Sequence, residues 1–423
     1  MNKRLNVCDV KISLLESANY NPRSWSEAAI ADLTESVIKY GIVDPIIVNG
    51  AKNRKNIVIG GHFRLKIAKD LGYKEIPVVY IDLPDIEKEK ELNLRLNKNT
   101  GSWDYELLKD FDIELLMDIG FDDSDLSHIW DDQLGVEDDD FNVTDELNQI
   151  IEPKTKRGEI YQLGKHRLIC GDATDHKIIQ KLCGGKQASM VYCDPPYNIS
   201  LDYNKGVGNK SNYGGTTQDR KSATEYKAFL TKTIENALQH ASSDTHLFYW
   251  CDEKNIGLVQ EIYKELGIEN KRVCLWIKNN FNVTPNVAFN KVYEPCVYGT
   301  IGSPYLATNV TKYHEILNKE VDSGNRAIDD IIDLFNIWLV KRIPTQDYEH
   351  PTEKPSTLHE KPLKRCTKPG DIVLDLFGGS GSTMMACEQL NRACYMVEIE
   401  PIFCDLIIRR YEQLTGKEAV LWT

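Results

Sequence analysis

The sequence predicts an α/β protein built on a parallel sheet with helices on both faces, preceded by a smaller unit. Three observations lead there. From residue 153 onward, short apolar runs rich in β-forming residues alternate with helical patterns. One of these runs ends in Asp194-Pro195-Pro196-Tyr197 and another in a glycine turn. Both loops therefore fall at strand ends, where α/β sheets bind ligands. The length, 423 residues, exceeds one ordinary core and implies two or three domains.

Residues 1–85 read as a small α+β unit. Ser26 to Tyr40 places Ile30, Leu33, Val37 and Ile38 at helical spacing, and Gly41 ends the pattern. Pro45-Ile46-Ile47-Val48, Ile57-Val58-Ile59 and Pro77-Val78-Val79-Tyr80-Ile81 are strand patterns. Gly60-Gly61 turns the second strand into a helix over His62 to Leu71, closed by Gly72. Residues 86–130 read as a largely helical extension.

Residues 131–152 carry nine carboxylates and neither Lys nor Arg, which predicts a solvated acidic linker. Overall the net charge is −13, which argues mildly against nucleic acid as a partner. Basic residues nonetheless cluster at Lys205, Lys210, Arg220 and Lys221, at Lys271 and Arg272, and at Lys341 and Arg342. Local patches, not net charge, decide phosphate binding.

Beyond 153, strands are expected over Met190 to Tyr192, His246 to Trp250, Val273 to Trp276, Glu294 to Tyr298, Ile372 to Leu376 and Ala393 to Val397. Residues 301–347 break this rhythm and read as an insertion. The first residues turn polar after Cys8 and lack the apolar run of a leader, and no stretch reaches the length of a membrane span. A cytoplasmic protein with no membrane partner is expected. The 11 cysteines are scattered singly with no Cys-x-x-Cys pair, so they are expected to be reduced and mostly buried, with no metal site.

Asp194-Pro195-Pro196-Tyr197 has the parts needed to hold an exocyclic amine. Two prolines stiffen the backbone and remove two amide donors. The Pro195 carbonyl can then lie beside the Asp194 carboxylate, giving two acceptors next to an aromatic plane. Such acceptors favour a pyramidal amine with its lone pair free, and Tyr197 can stack on a base taken out of a duplex. A plain Pro-Pro turn capped by Asp is the bland alternative for the four residues alone.

Asp371 to Thr383 reads strand, glycine turn, helix start. The glycines Gly378, Gly379 and Gly381 let the backbone approach a ligand. Glu398 follows about twenty residues on, the spacing of a ribose-binding acid. A dinucleotide fingerprint would need glycine three places after Gly381, and that position is Met384. Together with the Asp-Pro-Pro-Tyr strand end, the turn points to S-adenosylmethionine.

Both motifs, in this order, resemble the β-class amino-methyltransferases of DNA over about 153–423. That resemblance implies a Rossmann-like S-adenosylmethionine-dependent methyltransferase sheet with circularly permuted motif order. It also implies cofactor contacts from Asp172 and Ala173 in Leu168-Ile169-Cys170-Gly171-Asp172-Ala173. Thr352 and Lys354 in His350-Pro351-Thr352-Glu353-Lys354-Pro355 would meet the cofactor carboxylate, Asp375 its amino group and Phe377 its sulfonium. Trp276-Ile277-Lys278 and Tyr293-Glu294-Pro295 resemble later sheet motifs of the family, with ordinary sheet-edge roles as the alternative. Residues 301–347 occupy the target-recognition position, and 199–222 resemble the loop that closes over DNA.

The implied reaction is direct in-line transfer from S-adenosylmethionine to N6 of adenine in double-stranded DNA, in a restriction-modification setting, without a covalent enzyme intermediate. Asp at 194, where cytosine-N4 members more often carry Ser, favours adenine. A cytosine-N4 enzyme, a methyltransferase for RNA or a glutamine side chain, and a non-catalytic DNA-binding module are the alternatives. A homodimer is compatible with the family.

Asn21-Pro22-Arg23, Pro45 to Val48 and Ile59 to Leu65 resemble the ParB-like domain of partition proteins and sulfiredoxins. In relatives the last segment binds nucleotide phosphate at a helix N-terminus, which implies Gly60, Gly61, His62 and Arg64. The arginine-rich run of partition proteins and the cysteine of sulfiredoxins are absent. A structural or partner-docking role stands beside nucleotide binding.

Overall fold

The computed structural model describes residues 6–24, 27–97, 102–119, 121, 125–126, 128–132, 135–199, 220–278, 287–307, 336–340 and 354–422. The chain forms two compact units, Met1–Leu134 and Gly135–Thr423. Among the described residues no helix is long and apolar enough to cross a membrane.

In the first unit a five-stranded sheet has the order Val7–Lys11, Glu75–Ile81, Ile46–Asn49, Ile57–Gly60, Glu16–Ser17. The three expected strands are its centre. The two edge strands escape a pattern search because they are short and mostly exposed, so little burial marks them. Ile46, Val48, Val58, Leu65, Ile76 and Val78 form its core. Helices Ile86–Asn97, Tyr105–Leu108 and Ile113–Ile119 contribute to a second cluster around Leu94, Leu108, Leu116 and Trp130. Glu89 on the first of these helices is fully buried, and Arg54, Tyr20 and Asn49 all bond to it. A buried carboxylate needs such partners to stay charged.

The second unit holds a ten-stranded sheet. Its order is Ile337–Trp338, Glu269–Ile277, Tyr293–Ile301, Ala241–Trp250, Ala188–Cys193, Ile372–Asp375, Ala393–Glu398, His166–Cys170, Ile160–Leu163, Val420–Trp422. Five central strands are parallel, from Ala241–Trp250 to His166–Cys170. The sheet is nevertheless mixed. Tyr293–Ile301 inserts antiparallel between Ala241–Trp250 and Glu269–Ile277, and a hairpin, Ile160–Leu163 with His166–Cys170, flanks the other side. Apolar runs report burial but not direction, so the sequence pattern alone predicted a parallel sheet here.

Successive residues of the central strands enter different cores. Val191, Cys193, Leu247, Tyr249, Tyr395 and Val397 join Leu230, Ile234 and Ile262 from helices Ala223–Leu238 and Ile256–Glu265. Met190, Tyr192, Phe248, Trp250, Cys394 and Met396 join Leu363, Met384 and Ile407 from Glu360–Cys366, Ser382–Gln389 and Pro401–Thr415. Both faces are covered, and ten of the eleven cysteines are buried here as reduced thiols.

The connections reverse at the centre. From Ala188–Cys193 the chain moves to its neighbour on one side, Ala241–Trp250, while from Ile372–Asp375 it moves the other way, to Ala393–Glu398. The crevice at the carboxyl ends of these two adjacent strands is the topological switch point of the sheet.

The acidic stretch is not a free linker from Gly135 on. Phe141, Val143 and Ile150 are buried against Phe403 and Leu406, and a short helix, Val143–Gln149, is capped by the Asn142 side chain. Asp139 pairs with Arg410 and Glu146 with Arg409. The missing positive charges are supplied by helix Pro401–Thr415, far along the chain, so the local composition concealed them.

Candidate active site and cofactor cavity

At the switch point lies a cavity of ≈ 650 Å³. Asp172, Ala173, Asp194, Pro195, Pro196, Tyr197, Lys354, Asp375, Phe377, Gly378, Gly379 and Glu398 all line it. The separate segments singled out in the sequence are thus brought to one place. Gly381 does not line it and instead starts helix Ser382–Gln389 in a left-handed conformation, φ 82°. Thr352 lies outside the described residues, as do 200–219 of the expected DNA loop and 308–335 and 341–347 of the expected target-recognition region.

The Asp-Pro-Pro-Tyr turn is pinned from behind. The Tyr226 hydroxyl donates to Pro196 O at 2.8 Å, and the Asn255 amide to Tyr197 O at 3.1 Å. Next to it, Asn198 exchanges two side-chain bonds with the Lys221 backbone, at 2.9 and 2.7 Å. These bonds fix the four residues before any ligand arrives, the preorganisation that transfer chemistry requires.

Asp194 meets two donors. The Tyr197 hydroxyl donates to its Oδ1 at 2.8 Å, and the Lys354 ammonium to its Oδ2. Lys354 was expected at the cofactor carboxylate. The structure places its ammonium between Asp194 and Glu294, 3.4 Å from Glu294 Oε2 and 4.7 Å from the Trp250 ring centre. The reason is electrostatic. Its side chain is only 5% exposed, and two carboxylates, at the ends of the strands on either side of Ala241–Trp250, offer the charge it needs. Burial alone would lower Lys354, but the Asp194 and Glu294 carboxylates outweigh it and raise the ammonium above the ordinary lysine range. Burial likewise pushes the Asp194 carboxyl up, with Lys354 opposing.

The glycine turn presents its backbone to a second acid. Gly379 N–H donates to Glu398 Oε2 at 2.8 Å, and Glu400 N–H to Glu398 Oε1 at 2.9 Å. Gly378 has no room for a side chain, since a Cβ would lie 2.9 Å from Met396 Sδ. Asp375 accepts from Phe377 N–H at 3.0 Å. Burial pushes Asp375 up to about 8 and Glu398 up to about 7. Across the cavity, Asp172 accepts from the Thr174 backbone and hydroxyl at 2.8 and 2.7 Å, and Asn236 holds Ala173 O at 2.9 Å.

Sequence reading missed several residues that line the cavity or brace its wall from behind. Val143 and Phe403 come from the acidic arm and the helix it packs on. Arg410, 2% exposed, bonds both oxygens of Asp139 at 2.6 Å and both the carbonyl and hydroxyl of Ser380 in the glycine turn, at 3.1 and 3.2 Å. His359 bridges the Tyr192 hydroxyl and Ser382 Oγ at 3.0 and 2.9 Å, and burial lowers it to about 3, so it is neutral. No contiguous motif marks these residues, because each works through a partner on a distant segment.

Among the described residues, seven that line the cavity are acidic, against three lysines. Such a wall suits a cationic ligand, and S-adenosylmethionine carries both a sulfonium and an ammonium. The donor set fits its other parts too, with the Glu398 carboxylate for ribose hydroxyls and the Phe377 ring for a cation.

In the first unit, Gly60 ends strand Ile57–Gly60, Gly61 caps helix His62–Asp70 at φ 91°, and His62 and Arg64 lie in the first turn of that helix. Arg64 is ion-paired with Asp44 and donates to its carbonyl at 2.7 Å. His62 is pushed down to about 4 by burial.

Comparison with known proteins returns two family models. Residues 188–409 match the one described as DNA methylase, and residues 2–100 the ParB N-terminal domain. The type II methyltransferase M2.MboI of Moraxella bovis is 26% identical over 231 residues, 53% of this chain and 81% of that protein. M2.DpnII of Streptococcus pneumoniae, also a type II methyltransferase, is 26% identical over 266 residues, 59% of this chain and 91% of its own length. Among solved structures, the M1.HpyAVI–SAM complex aligns with a TM-score of 0.39 at 19% identity, over 58% of this chain and 98% of that one.

Proposed function

Because the chain belongs to the DNA methylase family, whose model spans residues 188–409, we propose that it methylates N6 of adenine in double-stranded DNA. It is an S-adenosylmethionine-dependent DNA methyltransferase, and the choice of base rests on one observation. Asp194, an acceptor and not a hydroxyl, stands at the end of the switch-point strand facing the cavity that the glycine turn shares.

When bound, the cofactor supplies a methyl group on a positively charged sulfur. The protein supplies the rest. Glu398 would receive the ribose hydroxyls and Asp375 the ammonium, and the Phe377 ring would face the sulfonium. Tyr197 stacks on the flipped adenine. Asp194 and the Pro195 carbonyl accept the two N6–H bonds and turn the amine lone pair toward the methyl group. Forming the N–C bond would break the sulfur–methyl bond and cost the amine one proton, which the Asp194 carboxylate is placed to take. Positioning and fixed acceptors carry most of the rate.

Two finer points belong to the same reading. The substrate is a duplex, since base flipping presupposes one, and a homodimer accords with the β-class resemblance.

The test is chemical. The protein is incubated with tritiated S-adenosylmethionine and unmodified duplex DNA, and the DNA is digested to nucleosides. Label in N6-methyldeoxyadenosine is the expected result. Label in N4-methyldeoxycytidine would transfer the same fold and geometry to the other base.

A further inference from the structure

Asp194 meets the target amine with both oxygens already engaged, Oδ1 by the Tyr197 hydroxyl and Oδ2 by Lys354. An arriving base competes for the same acceptor. Each of these donors has a second acceptor within reach, and it is the same group. Glu294 Oε2 lies 3.3 Å from the Tyr197 hydroxyl and 3.4 Å from the Lys354 ammonium. The other Glu294 oxygen is held by Lys278, which anchors the carboxylate in place.

We propose that Glu294 is a positioning residue that clears Asp194 for the base, taking over the Tyr197 hydroxyl and the Lys354 ammonium as the target amine binds. The inference rests on the reading of Asp194 as the acceptor of that amine. Charge supports it independently. Burial pushes Glu294 up, but Lys354 and Lys278 more than offset this and hold it at about 2, so the second acceptor stays ionised. The shift is short, because both donors already stand between the two carboxylates. It also leaves no buried ammonium unpaired when Asp194 turns to the substrate, which would otherwise oppose base binding.

The experiment uses the full chain, tritiated S-adenosylmethionine and whole-genome-amplified bacterial DNA, which carries no modified bases. Single-turnover transfer and calorimetric cofactor affinity are measured for Glu294→Gln, Tyr197→Phe and the double variant. Glu294→Gln is expected to slow transfer about ten- to a hundredfold with cofactor affinity unchanged. Tyr197→Phe keeps the stacking ring but removes one occupant of Asp194, so the double variant should regain most of that loss. A purely structural glutamate would show no such rescue. Slowing of Glu294→Gln by less than about fivefold, or an equal loss in both backgrounds, overturns the proposal. If Glu294→Gln binds no cofactor, Glu294→Asp takes its place in the same comparison, under the same thresholds. Asp194→Asn separates the two layers. An inactive Asp194→Asn beside a normal Glu294→Gln sinks this inference only, whereas an active Asp194→Asn sinks the reading it rests on.

Discussion

Asp375 and Glu398 are cavity carboxyls that burial shifts far upward. Both are carboxylates less than a tenth exposed, and burial has moved them to about 8 and about 7. Near pH 7 the ligand-free protein therefore holds a proton on Asp375 for most of the time. A cation bound beside Asp375 favours the ionised form, so binding must release that proton. The sign follows directly. Cofactor affinity should fall as pH is lowered from about 8 to 6, by up to about tenfold per unit for one linked proton. Calorimetry at pH 7 in two buffers of different ionisation enthalpy should register proton release, and a flat affinity over this range would remove Asp375 from the cation site.

At the scale of elements, the arm over 135–150 and helix Pro401–Thr415 act together on the cofactor wall. Asp139 holds Arg410, Arg410 holds Ser380 of the glycine turn, and Val143 with Phe403 closes the cavity beside Glu398. Removing Asp139 leaves a nearly fully buried guanidinium without its carboxylate, a change that costs about 3–5 kcal/mol in comparable pairs. Asp139→Ala should lower the melting temperature and weaken cofactor binding by about tenfold or more. Calorimetry of Asp139→Ala at normal affinity would show that the arm is only a cover. Nothing of this was legible in the acidic run itself. Composition reports that nine like charges want water or partners, and the partners lie 263 and 271 residues away. The contiguous motifs were legible for the opposite reason. In Asp194 to Tyr197 and in Gly378 to Gly381 the turn chemistry and the ligand chemistry reside in neighbouring residues.

For the whole molecule, every described residue lining the cavity lies in the second unit. That unit also has its own two-faced core. A chain starting at Gly135 is therefore expected to fold cooperatively and to bind the cofactor within about threefold of the full protein. Circular dichroism and calorimetry on that fragment check it, and loss of cofactor binding would mean that the ParB-like unit completes the site.

The sequence by itself determined the two strand-end motifs, the cofactor class and the presence of a second, ParB-like unit. It could do so because backbone turns and short-range spacing are local properties, written in a few adjacent side chains. Tertiary structure alone decided that Tyr293–Ile301 runs antiparallel inside the sheet, that Lys354 stands on Asp194 and not elsewhere, and that Glu294 waits beside both. These depend on which buried charge finds which partner across the fold. Hydrophobic periodicity records that a residue is inside, but the pairing energy that places Lys354 between Asp194 and Glu294 exists only once the sheet has brought their strand ends together.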